Sequence, residues 1–201
     1  MENKEVGGDN GVKKGRPSLL IPSDNRFLSN KKISDRVYAW ILLNGKRVDA
    51  DIFIDKTPRN AYKDIGINYR TFYKRLEELV ENGYLEDYEY QYKVSKNISE
   101  FNRYVYYDIV KRLYELKIDN IIKVYIYLGS MYAQYGNNAW FTYNSILAAI
   151  GYSHERNIRN QEKVKIIIEK LAELNLIKYC RTYEEGSKYQ IKFKLLNVKG
   201  K

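Results

Sequence analysis

Apolar positions recur at helical spacing through the first half of the chain. Ser34 or Asp35 can cap a helix that carries Val37, Ile41 and Leu42 on one face and ends near Asn44-Gly45. Ile52-Phe53-Ile54 reads as a short strand. Thr57 as N-cap, with Pro58 at the first helical position, opens a helix of about eight residues to Ile65. Gly66-Ile67 makes a turn, and Asn68 then caps a longer helix. Its Phe72, Leu76, Leu79 and Val80 fall at i, i+4, i+7 and i+8, a core-facing stripe, and Gly83 suits its left-handed C-terminal position. From Tyr84 to Tyr92 the period changes to two, placing Tyr84, Tyr88, Tyr90 and Tyr92 on one face, and Asn102 to Tyr107 offers a second strand after a polar turn at Lys96-Asn97.

The second half repeats this order. Val37 to Leu42 is similar to Val124 to Leu128 at an offset of 87, Thr57 to Gly66 to Thr142 to Gly151 at 85, and Phe72 to Leu85 to Val164 to Ile177 at 92. Three blocks in one order imply a duplicated unit, with a seven-residue insertion near His154 to Asn160. The second copy has Tyr125 to Gln134 as first helix, Thr142 capping Tyr143 to Ile150, and Asn160 capping Gln161 to Asn175. Its hairpin is Ile177 to Tyr183 with Tyr189 to Leu196, turning at Glu184 to Ser187. Asp108 to Lys117 reads as a bridging helix that could dock the halves through Ile109, Leu113 and Leu116. Helix, strand, helix, turn, helix, hairpin is the order of a winged helix. The expected class is thus α+β and mainly helical: a basic arm (1–23) and two tandem winged helix-turn-helix domains (24–108 and 109–201) with small β-hairpin wings.

Composition narrows what such a chain does. The 201 residues hold 35 Lys+Arg against 25 Asp+Glu, a formal charge of +10, which favours a polyanionic partner. One His and one Cys argue against a structural zinc site or a disulfide framework. Cys180 is expected to pack in its strand, and His154 to face solvent. With no glycine-rich phosphate loop and no evident carboxylate dyad, the expectation is a binding protein, not an enzyme, without cofactor or metal. No apolar run suits a membrane span or a signal peptide, so a cytoplasmic, nucleoid- or plasmid-associated location without membrane contact is expected.

In a helix-turn-helix the second helix enters the major groove N-terminus first. The candidates in the first unit are Asn68, Tyr69, Arg70, Tyr73 and Lys74, with Glu77, Glu78 and Glu81 at the far end; the alternative is that these charges pair along a solvated face. In the second unit, Arg156, Arg159 and Lys163 suit phosphate, while Asn160 and Gln161 have the amide geometry to pair with adenine. For Asn160 capping is the first expectation. Ile166 lies off the core stripe. Lys14-Gly15-Arg16-Pro17 resembles the core of an AT-hook, with Lys14 where an arginine is usual; Lys14 and Arg16 either enter an A·T minor groove or belong to a solvated tail. Tyr88, Tyr90 and Tyr92 could stack on single-stranded nucleic acid, but burial against the helices is the first expectation. Tyr38, Tyr125 and Tyr127 are expected in the core.

The stretch IIKVYIYLGSMYAQYGNNAWFTYNSILAAIGYS, followed by RNQEKVKIIIEKLAELNLIKY, resembles winged-helix proteins encoded by plasmids, phages and other mobile elements of low-G+C Gram-positive bacteria. The resemblance covers most of 105–196 and, through the repeat, 34–94. It implies double-stranded DNA as partner and replication initiation or maintenance as role, with a homodimer and contacts to replication proteins compatible with it. Transcriptional regulation of a mobile element, and a protein-interaction module of the same build, stay open as alternatives.

Overall fold

The computed structural model describes residues 17–96, 102–152, 158–182 and 190–196. About half of the described residues are helical, in eight α-helices with small antiparallel sheets, an α+β arrangement. The first half runs β1 (Ser18–Pro22), α1 (Asn25–Ser29), α2 (Asp35–Asn44), β2 (Lys46–Val48), β3 (Asp51–Asp55), α3 (Ala61–Ile65), α4 (Tyr69–Glu81), β4 (Leu85–Asp87), β5 (Gln91–Val94) and β6 (Asn102–Tyr106). After α5 (Tyr107–Glu115) come α6 (Ile121–Tyr135), β7 (Trp140–Phe141), α7 (Tyr143–Ala149), α8 (Ile158–Glu173), β8 (Ile177–Thr182) and β9 (Gln190–Leu195).

Local side-chain caps set several helix starts. Ser34 accepts a hydrogen bond from Val37 N, Asn68 from Thr71 N, and Thr142 with Ser145 forms a reciprocal capping box. Phe72, Leu76 and Leu79 are buried as the spacing predicts, and Gly83 takes φ +76° after α4. Tyr38 and Tyr125 are buried, and Tyr127 is partly buried against the core.

Several expectations are corrected. Ser18–Pro22 is not part of an arm: β1 pairs antiparallel with β6, burying Leu19 and Ile21. Asp24 caps the unexpected α1, accepting from Phe27 N at 2.8 Å. Helix α3 is only five residues, because Asn60 turns left-handed (φ 62°) and leaves Thr57-Pro58 outside it. The first hairpin is β4 with β5, turning at Tyr88 to Tyr90, so Asn102–Tyr106 is not its second strand. The tyrosines there share no face: Tyr84 is buried, while Tyr88 and Tyr90, at the tip, are 47% and 74% exposed. Cys180 is exposed on β8 and not packed. The turn expected at Glu184 to Ser187 lies outside the described residues.

Strand order is β2-β3-β5-β4 in the first half and β7-β9-β8 in the second. A single hydrophobic core runs through both halves. Polar contacts pin them together where α2 meets α6. Asp35 accepts from Asn120 N (3.2 Å) and Ile122 N (3.1 Å), Arg36 pairs with Asp119 (3.0 Å) and also donates to Ile65 O, and Lys123 Nζ donates to Asn30 O (2.8 Å). Gly151 (φ +84°) sits so close to the Ser29 carbonyl that a Cβ would collide with it.

Candidate nucleic-acid interface

Helix α4 supplies the first set of candidates. Asn68 spends its Oδ1 on Thr71 N (2.8 Å), which fixes the start of the helix. Tyr69 is 57% exposed, and Arg70 and Lys74 are exposed beside it. Tyr73 is half-buried, its ring 4.5 Å from that of Tyr69; desolvation, with Tyr69 next to it, raises its pKa above the ordinary phenol value. Arg75 differs from its neighbours. Its guanidinium donates to Lys32 O (2.8 Å) and Glu78 Oε2 (2.7 Å), and Glu78 is buried, so this pair belongs to the packing and not to a free charged face.

In the second unit α8 begins at Ile158, two residues before the expected cap, which places Asn160 in the first turn and not at its N-cap. Arg159 and Lys163 are exposed, and Asn160 is half-buried. Gln161 Nε2 donates to Asn144 Oδ1 at 2.8 Å, tying α8 to α7. Ile166 is exposed, off the buried stripe of Val164, Ile167, Ile168 and Leu171. Lys14, Arg16, Arg156 and His154 lie outside the described residues.

The structure brings the two helices to one groove of about 490 Å³. Thr71 and Arg75 line it from α4, and Asn160, Lys163 and Ile166 from α8. Lys31 adds a further cation, its ammonium 4.8 Å from the Tyr152 ring centroid. Tyr69 and Tyr73 are not among the groove's lining residues; they pack toward α3 through Tyr62. Sequence reasoning missed this second cluster of Arg59, Tyr62 and Lys63. The basic-aromatic run Arg59 to Lys63 was the available signal, hidden by the expectation of a longer α3.

Chemically, the exposed guanidinium and ammonium groups can neutralise phosphates, while the amides of Asn68 and Gln161 are each engaged within the protein through one of their two polar atoms. Among the described residues no three His, Cys, Asp or Glu side chains gather to hold a metal ion, and no helix is long and apolar enough to cross a membrane. Comparison of the chain with protein-family models, with curated proteins and with solved structures finds no match.

Proposed function

We propose that the chain is a sequence-specific double-stranded DNA-binding protein of two tandem winged-helix units, serving replication initiation or maintenance of a mobile element. The observation that carries this reading is the first half of α4: a capped helix, entered by a short turn, with Arg70 and Lys74 facing solvent. The order of helix, strand, helix, helix and hairpin runs from α6 to β9, and from α2 to β5 with one extra strand, β2, and a net charge of +10 suits a polyanion. The role in replication rests on the resemblance to mobile-element winged-helix proteins.

A footprint of bound sites across the host element tests it. Protection of origin repeats supports the replication role, and protection confined to a promoter assigns the chain to transcriptional regulation. Equal affinity for random duplex and for the protected site, at physiological salt, overturns sequence specificity. The double variant Arg70→Ala/Lys74→Ala should lower the salt dependence of binding by roughly two phosphate contacts. An unchanged slope would remove α4 from the interface and favour a protein-interaction module.

A further inference from the structure

Tyr62, Tyr69 and Tyr73 form a chain of rings, with centroids 5.8 Å apart for the first pair and 4.5 Å for the second. Tyr73 in turn meets the buried Phe72 edge-on at 5.3 Å, so the cluster is rooted in the core. Tyr69 is its most exposed ring. Exposed cations lie on the same segments: Arg59 before α3, Lys63 on α3 with its ammonium 5.9 Å from the Tyr62 centroid, and Arg70 and Lys74 next in sequence to Tyr69 and Tyr73 on α4. Two acids lie near it, on α3 and α4. Asp64 accepts from the Trp40 indole at 3.4 Å, and Glu77 lies one turn beyond Tyr73 and two turns beyond the most exposed ring, Tyr69.

A paired duplex presents base edges and phosphates to a protein, while its ring faces stay stacked inside. A large exposed ring, held by two others at little cost in side-chain entropy, is matched instead by an unstacked base, while cations around it track the backbone. We infer that the Tyr62–Tyr69–Tyr73 cluster, with Arg59, Lys63, Arg70 and Lys74, is a stacking platform for unpaired nucleotides, so that the protein holds locally opened DNA more tightly than closed duplex. This rests on α4 facing nucleic acid, and it adds strand opening to that reading.

The test compares a short duplex, the same duplex carrying a central run of unpaired thymines, and oligothymidylate alone, by fluorescence anisotropy with the full chain. The opened duplex should bind at least about fivefold tighter than the closed one, the lower bound for one stacked base. Tyr69→Ala should abolish that preference, and Tyr69→Phe, which keeps the ring, should retain it. Tyr69→Trp gives a local readout, since its fluorescence should be quenched by the opened duplex and not by the closed one. Closed-duplex binding without a preference, or a preference that survives Tyr69→Ala, overturns the platform and leaves the duplex reading standing. Tyr69-dependent binding of opened DNA without closed-duplex binding supports the platform and overturns the duplex reading. Failure to bind any of the three probes overturns both.

Discussion

Asp35 opens α2, yet both of its carboxylate oxygens serve the other half of the chain, capping the start of α6 through Asn120 N and Ile122 N. Burial pushes its pKa upward, and Lys123 together with those two N–H groups pulls it back. Asp35→Ala leaves two N–H groups and a buried ammonium without their acceptor charge. The expected loss is about 3 kcal/mol or more by urea unfolding, and Asp35→Asn should restore part of it by returning one acceptor oxygen. Lys123 is fully buried, against the Phe27 ring and Asn30 O, and burial holds its pKa down at about 8, with Asp35 opposing and Arg75 adding to the shift. Because the unfolded chain then binds more protons between about pH 8 and 10.5, stability should rise as pH increases through that window. Unfolding followed from pH 7.5 to about 9.5, short of tyrosine titration, should show the rise, and Lys123→Met should flatten it. None of this was legible in the sequence. Ser34, Asn68 and Thr142 reveal themselves by partners three residues away, whereas Asp35 looks like an ordinary first-turn acid until the fold brings Ile122 to it.

At the scale of elements, amphipathic helices were readable because period and burial are the same fact. The stripe of Phe72, Leu76 and Leu79 reaches the core, as do Val164, Ile167, Ile168 and Leu171. Strand pairing was harder, since alternation marks a strand without naming its partner. Thus the alternation from Asn102 to Tyr107 implies an extended segment, but the strand there, Asn102–Tyr106, joins Ser18–Pro22, and the first hairpin closes instead at Tyr88 to Tyr90. The candidate site divided in the same way. Exposed Arg70, Lys74 and Lys163 followed from helical phase, while the engagement of Arg75 with Lys32 O and Glu78, and of Gln161 with Asn144, depends on neighbours outside the helix or on its packing. Asn68 has a structural duty beside any contact it makes with DNA. Asn68→Ala should cost about 1 kcal/mol through loss of the cap, and Asn68→Asp, which also caps, should keep the stability. Thermal melting of the two variants checks this, and equal losses in both would show that the side chain packs and does not cap.

Across the whole molecule the two halves are joined by one core and by pins that span it, among them Arg36 to Asp119, Lys123 to Asn30 O, and Gly151 against Ser29. Each half carries one tryptophan: Trp40 is buried in the first and Trp140 is partly exposed in the second. Trp40→Phe and Trp140→Phe therefore leave one reporter in each half, and their urea midpoints should coincide with that seen by far-ultraviolet circular dichroism. Gly151→Ala should move both reporters together. Two separated midpoints would mean that the halves unfold independently. The similarity of the sequence blocks is visible in their spacing, but this mutual dependence is not, because the pins join residues that the blocks do not pair with each other, such as Gly151 with Ser29.

The pairing of β1 with β6 also sets a schedule for synthesis. Ser18 leaves the ribosome 88 residues ahead of its partner Tyr106, which at about 5–20 residues per second is a wait of roughly 4–18 s. Throughout that interval Leu19 and Ile21 belong to a nascent strand whose backbone and apolar side chains have no ladder to join, the condition under which strands of neighbouring chains pair with one another. Translation speed over the first hundred residues thereby becomes a determinant of yield: slow elongation prolongs the exposure, and a chaperone that shields the emerging strand shortens it.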